Sequence, residues 1–352
     1  MLSPPDLPRE AVIPQTIRFA AIGLDHRHIL GQVGSLLAAG AECVGFYTEA
    51  EDLVPKFTET FPSIPRLTDR RRILEDDSIH MVVSAAIPSQ RAALGIETMR
   101  HGKDYMVDKP GFTTRAQLDA VRRVQKETGR IYSICFSERF EVPAAAKATE
   151  LVQAGAVGQV VQTLGLGPHR LNRHLRPDWF FRKEHFGGIL NDIGSHQIDQ
   201  FLHYTGSKEG EIVTSSIGNY ANPGDPELSD FGQIVLRSPQ ANGYVRVDWF
   251  TPDGLPTWGD GRLFIQGTEG YIELRKYVDI AGRPGTDHLF LVDKKGVHYI
   301  DCSGVELPYA RRLIDDVLHH TETAMTQEHC FLASQLALEA EAKATQLTPA
   351  VR

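Results

Sequence analysis

Hydrophobic and polar positions divide the chain into two differently patterned parts. Over the first 137 residues, short runs that are apolar throughout alternate with longer amphipathic stretches. Residues 17–23 form the first run and end at Gly23; a helical spacing of Ile29, Val33, Leu36 and Leu37 follows and stops at Gly40. Runs at 42–47, 81–86, 105–107 and 131–135 repeat the signal, with helical patterns at about 50–61, 89–101 and 114–128 between them. A run apolar on both faces belongs to a strand covered on both sides, and strands separated by helices return in parallel. The pattern predicts a doubly wound parallel sheet, a nucleotide-binding type of α/β domain, over residues 16–137.

Beyond that point strands follow one another directly. Strand-like segments lie at 159–164, 212–220, 232–236, 244–250, 262–265, 271–274, 289–292 and 297–300, some joined by short turns such as 267–270. Short connections make neighbours antiparallel. Helical patterns interrupt them at 142–154 and 189–204, and a last long helical region covers 310–345. Residues 138–352 are thus expected to form an α+β domain with a large, mostly antiparallel open sheet. The Pro-rich, polar stretch 1–15 reads as a flexible lead-in.

Composition narrows the class. Lys and Arg number 37 against 45 Asp and Glu, a formal charge of −8. An acidic chain lacks the positive field that general nucleic-acid or anionic-membrane binding needs. Four cysteines at 43, 135, 302 and 330 have no paired spacing, so neither a zinc ribbon nor a disulfide framework is expected. No apolar stretch reaches membrane-spanning length and no signal-peptide pattern opens the chain. A soluble, cytoplasmic protein is the expectation.

Four segments carry candidate chemistry. The turn Gly23-Leu24-Asp25-His26-Arg27-His28 lies between the first strand and helix, where a dinucleotide fingerprint would read G-x-G-x-x-G; only the first glycine is present, with Asp25 and His28 at the other two positions. At the end of the second strand, Thr48 stands where an acid would meet ribose hydroxyls and Glu49 follows, with no Arg or Lys adjacent in sequence to receive a 2′-phosphate. This favours NAD over NADP, although Glu49 serves equally as a helix cap. Asp108-Lys109-Pro110 follows a parallel strand, at the end that faces the ligand crevice; a lysine on a loop is otherwise simply solvated. In 187–199, Gly187 and Gly188 lead into a helix on which Asp192 and His196 are four apart and share a face. A carboxylate beside an imidazole orients a general base; an incidental pair or a two-ligand metal face are the alternatives, and no metal is assigned.

The segment 167–185 inverts the charge of the chain, with five Arg or Lys and three His against two acids. It leads from the first strand of the second domain to the Asp192/His196 helix. His169, Arg170, Arg173, His174, Trp179 and Lys183 are therefore candidate substrate residues for an anionic group, since guanidinium forks match carboxylate, phosphate or sulfonate oxygens. An exposed basic loop or a subunit contact is the competing explanation. Trp249 and Trp258 lie in a Gly-rich stretch that reads as a packed or interface loop.

These segments, in this order, resemble the Gfo/Idh/MocA oxidoreductases, in which the tripeptide is usually E-K-P and the helix segment reads G-G-x-x-x-D-x-G-x-H. The resemblance implies a Rossmann domain binding NAD(P), a C-terminal domain whose open sheet serves oligomer contacts, and hydride transfer at a carbinol of a sugar or cyclitol. Carried over by motif, Lys109, Asp192 and His196 are the catalytic candidates. Gly23, Asp25, His26, His28, Thr48, Glu49, Ala86, Pro88, Asp108 and Lys109 are the cofactor candidates. The family's frequent T-P-N-x-x-H segment appears as Ile87-Pro88-Ser89-Gln90-Arg91-Ala92, so its histidine is missing at 92. A homodimer or homotetramer with a small, anionic sugar as substrate is the resulting expectation. The alternative is an NAD-dependent glycoside hydrolase that oxidises, eliminates, hydrates and reduces an anionic glycoside such as a sulfoquinovoside. A non-catalytic NAD-binding subunit is disfavoured, because Lys109 and His196 are both in place.

Overall fold

The structure is a computed structural model and describes residues 16–348; the lead-in expected over 1–15 lies outside them. The first domain runs β1 (Arg18–Ile22), α1 (His28–Ala38), β2 (Glu42–Tyr47), α2 (Val54–Thr60), α3 (Arg71–Leu74), β3 (Met81–Ser84), α4 (Pro88–Arg100), β4 (Asp104–Asp108), α5 (Arg115–Thr128) and β5 (Tyr132–Cys135). Its five strands are all parallel in the order β2-β1-β3-β4-β5. Every residue of β3, β4 and β5 is buried, as their unbroken apolar runs require. Strand order reverses beside β1, so the crevice at the carboxyl ends of the strands opens there.

The second domain follows with α6 (Ser137–Phe140), α7 (Pro143–Gln153), β6 (Val160–Pro168), α8 (Lys183–Phe186), α9 (Ile189–Asp192) and α10 (Gly194–Thr205). The strands β7 (Glu211–Gly218), β8 (Phe231–Arg237), β9 (Asn242–Asp248), β10 (Arg262–Gly267), β11 (Tyr271–Arg275), β12 (His288–Asp293) and β13 (Gly296–Asp301) come next. The chain then closes with α11 (Tyr309–His319), α12 (Gln327–Lys343) and β14 (Thr345–Leu347). Nine strands form one sheet, β13-β12-β11-β10-β6-β9-β8-β7-β14, antiparallel except at β6–β9 and β7–β14. The architecture is the expected one: a Rossmann-type α/β domain followed by an α+β domain.

Three local expectations change. The helix predicted over 189–204 is two, divided at Ile193. The long C-terminal helical region is also two helices. His320 ends α11 with φ 54°, and the Asp316 carboxylate accepts bonds from Thr321, Thr323 and Ala324, which stabilise the turn against helix. Thr345, where that region was expected to end, starts a short parallel strand that pairs with β7.

Two sets of contacts anchor α12, the first to the Rossmann-type domain and the second within its own. The α12 residue Gln327 accepts from Tyr132 N at 2.9 Å, joining α12 to β5. Arg139 and Asp199, both buried, pair at 2.6 Å, and His329 reaches the same carboxylate at 2.8 Å, so α6, α10 and α12 share one joint.

Candidate functional site

The first turn is built around a close approach. Gly23 has φ 78°, and a Cβ added to it would stand 2.6 Å from the Ala86 Cβ, so only glycine fits between β1 and the end of β3. Gly23 N donates to Tyr47 O at 3.0 Å and His26 N to Ala85 O at 2.8 Å, which ties the turn to both neighbouring strands. The helix α1 that follows has no acidic residue in its first turn, leaving its amides as a positive end. Asp25 lies partly buried in the turn, and burial pushes its carboxyl above the usual range.

Arg91 joins the ends of β3 and β4. It is buried on the inner face of α4, donates through Nε to Ala86 O at 2.7 Å and through Nη1 to the carbonyls of Asp108 and Pro110 at 3.0 Å, and pairs through Nη2 with the Asp108 carboxylate at 3.1 Å. The same carboxylate meets His28 Nδ1 at 2.9 Å and His26 Nδ1 at 3.3 Å. Burial alone would raise the Asp108 carboxyl, but His28 and Arg91 hold it well below the carboxylate range. Pro88 is buried at the start of α4, behind this joint.

Lys109 and Asp192 come together from the two domains, Nζ to Oδ1 at 2.9 Å, and both are buried. The Asp192 carboxylate therefore serves Lys109 rather than His196; the break at Ile193 replaces the single helical face expected of the pair. His196 is 2% exposed, and its Nδ1 has no hydrogen-bond partner. Burial, with Lys109 and His169 nearby, holds His196 well below the imidazole range despite the opposing Glu138 charge, so it is a neutral base near pH 7.

A second cluster lines the same cavity, of about 160 Å³. Lys276 Nζ pairs with Glu138 Oε1 at 2.7 Å. Burial opposes both charges, yet the pair outweighs it: Glu138, helped by His196 and His169, is held down to about 2, and Lys276 is raised. His169, with Nδ1 3.0 Å from Gly167 O, is lowered by burial and Lys109 to about 4. Arg176 also lines this cavity, its guanidinium 4.9 Å from the ring centres of Trp249 and Trp258 and 4.3 Å from that of Phe180. Its Nε donates to Leu171 O at 3.0 Å, and it has no carboxylate partner among the described residues.

Two larger cavities continue the crevice. One of about 600 Å³ shares Arg27, Arg176 and Trp258 with the small cavity and is also bordered by His174 and Trp179. Another of about 630 Å³ is bordered by Gly23, Asp25, Thr48, Glu49 and Ala86 at the ends of β1, β2 and β3. Arg70 borders it too and pairs with Glu97 at 3.3 Å. The premise that no cation stands near Glu49 is thereby corrected: the fold brings one from 21 positions further along the chain.

The basic segment splits. His169 faces the small cavity, and His174 and Trp179 the adjoining one. Arg170 turns to the carbonyls of Pro252 and Leu255, Arg173 pairs with Asp225 at 2.6 Å, and Lys183 pairs with Glu341 at 2.7 Å, beside Gly188. These three carry protein partners and lie outside the cavity lining. Arg176, within the same segment, was not singled out from sequence, nor were Arg91, Glu138 and Lys276. A charged residue on the buried stripe Pro88, Arg91, Gly95 and Thr98 was the one available signal for Arg91; Glu138 and Lys276 are too far apart in sequence to leave one.

At the carboxyl ends of the parallel strands Lys109 thus meets Asp192 of the second, open-sheet domain, with His196 lining the same cavity. The profile of the GFO/IDH/MocA C-terminal domain matches residues 145–273. A solved structure of a proposed oxidoreductase from Erwinia carotovora atroseptica SCRI1043 is 47% identical and superposes with a TM-score of 0.91, covering 94% of this chain and all (100%) of that one. The scyllo-inositol 2-dehydrogenase (NAD(+)) of Bacillus subtilis (strain 168) is 26% identical over 272 residues, 73% of each chain. Levoglucosan dehydrogenase, solved with NADH and levoglucosan, shares the fold at 19% identity and a TM-score of 0.78, over 94% of this chain and 98% of its own. The chain belongs to the Gfo/Idh/MocA family and is an oxidoreductase of that type.

Proposed function

We propose that the protein is an NAD-dependent dehydrogenase acting on a carbinol of a sugar or cyclitol, with an anionic group on the substrate. The observation that carries this reading is the Lys109–Asp192 pair at 2.9 Å with the neutral, unpartnered His196 in one cavity at the ends of the Rossmann strands. The relatives' dinucleotides and sugar or cyclitol substrates support the same class.

The crevice residues fit a dinucleotide. Gly23 leaves room where a Cβ would collide, the start of α1 offers amides without an acid, and Glu49 stands at the ribose end with Arg70 engaged by Glu97. Glu49 favours NAD over NADP. When bound, the nicotinamide supplies the hydride acceptor. His196 takes the hydroxyl proton, Lys109 holds the oxygen as it becomes alkoxide, and Asp192 fixes the ammonium in place. The unpaired guanidinium of Arg176 is the group that receives the substrate anion, with His169, His174 and Trp179 around it.

Two further expectations stand as part of this reading. Half-buried aromatic side chains such as Phe264, Tyr271 and Phe290 on the nine-stranded sheet support a homodimer or homotetramer. No helix among the described residues is long and apolar enough to cross a membrane, which accords with a cytoplasmic site of action.

Incubation with NAD and a panel of neutral and acidic sugars tests the assignment: stoichiometric NADH supports it, and no turnover of any member overturns it. Arg176→Gln is expected to raise KM for the acidic substrate about tenfold or more while sparing its neutral analogue. The glycoside hydrolase alternative draws on His169 as a second neutral imidazole beside the first. Aglycone release from an aryl glycoside without net NADH would select it.

A further inference from the structure

Two histidines of the first turn and the aspartate that ends β4 meet at one point. We propose that His26, His28 and Asp108 bind one first-row divalent cation, with its remaining positions open to the cavity that holds Lys109. Each residue offers one ligand atom, and these atoms all lie within 4.8 Å of one another. Asp108 Oδ1 stands 2.9 Å from His28 Nδ1, and Asp108 Oδ2 stands 3.3 Å from His26 Nδ1. Ligands about 2.0–2.1 Å from a shared ion are separated by roughly 3.0 Å when cis in an octahedron and roughly 3.4 Å in a tetrahedron.

The surroundings are those of a ligating group. Arg91 clamps the Asp108 carboxylate through Oδ2 at 3.1 Å, the kind of outer contact that orients a metal-binding carboxylate. Glu141 lines the same cavity and makes no ion pair among the described residues. The side chains of His26 and His28 are 18% and 33% exposed, which leaves an entry path. Two imidazoles with one carboxylate select Zn²⁺, Mn²⁺, Fe²⁺ or Co²⁺ over Mg²⁺ and Ca²⁺, which prefer oxygen. The open positions would take oxygen donors of a bound ligand.

The test uses the full chain stripped with a chelator, then titrated separately with Co²⁺, Zn²⁺ and Mg²⁺, with metal content and Co²⁺ visible absorption as readouts. The expected result is about one equivalent of Co²⁺ or Zn²⁺ and no Mg²⁺ at the same concentration, with binding about tenfold weaker or worse in His26→Ala and His28→Ala. His101→Ala, an exposed histidine elsewhere, is expected to bind as the parent does. If His28→Ala melts early, His28→Gln removes the imidazole while keeping an amide near Asp108 and gives the same readout. Substoichiometric binding by the parent, or binding unchanged in the His26 and His28 variants, overturns the site. NAD binding by the stripped protein is measured separately, so loss of the metal proposal and loss of the cofactor reading are distinguishable.

Discussion

The small cavity holds the same three kinds of side chain twice: Lys109, Asp192 and His196 on one side, Lys276, Glu138 and His169 on the other. Both lysines pair with their carboxylates, at 2.9 and 2.7 Å. The difference lies in what remains unpaired. His169 Nδ1 is engaged by Gly167 O, whereas His196 Nδ1 has no partner. Glu138, held to about 2, and Lys276, raised, keep their charges across any working pH, so that pair is a fixed clasp between α6 and the end of β11. Lys109 instead follows the Asp108 that contacts the first turn. Residue type alone does not mark a reacting group; position at the strand ends and unused bonding capacity do.

Breaking the first set is expected to have the largest effect. Lys109→Met should lower kcat/KM about 10³-fold, because it removes the donor aimed at the developing oxyanion; it also leaves the buried Asp192 carboxylate without its partner, so turnover is compared at equal folded fraction. Breaking the second set should act on stability instead. Lys276→Met strands a partly buried Glu138 charge and should destabilise by about 2 kcal/mol in denaturant titration, with Glu138→Gln in the same chain restoring most of it. If Lys276→Met leaves stability intact and abolishes turnover, the two sets have been assigned the wrong way round. His196→Asn should lower kcat about 10²-fold, the loss of one general base, without the stability change of Lys276→Met.

The comparison also explains what was legible in the sequence. Lys109 was found because Asp108-Lys109-Pro110 directly follows an unbroken apolar run, and Asp192 and His196 because two glycines announce the segment that carries them. Glu138, His169 and Lys276 follow three strands spread over more than a third of the chain, so no local spacing joins them. The parallel sheet and the strand-rich second domain were readable because burial on both faces and short turns act locally. The break in the C-terminal helical region was not, because it depends on Asp316 turning back on the residues after it. Among the basic residues of 167–185, charge density showed that a cluster exists; the acids that occupy Arg173 and Lys183, Asp225 and Glu341, are distant in sequence, and only the fold shows that Arg176 is left free.

The smallest expected effect is on pH dependence, and it separates activity from stability. A general base works unprotonated. An ordinary imidazole, titrating near 6.5, would lose about five- to sixfold in rate between pH 6.5 and 5.5 on protonation. His196 is held well below that range by burial, so kcat/KM for oxidation should change less than about twofold over the same interval. Stability should not be flat. His169 titrates near 4 in the folded protein and near 6.5 once unfolded, so the unfolded chain binds more protons between those values. Its contribution is fully present above pH 6.5 and is lost progressively as pH falls toward 4; His196, lowered in the same direction, adds to the slope. Measured side by side, initial rates should hold from pH 7 to 5.5 while the denaturation midpoint falls. A rate that drops with an apparent pKa near 6.5 would place the working base outside the buried pair, on an imidazole that water reaches.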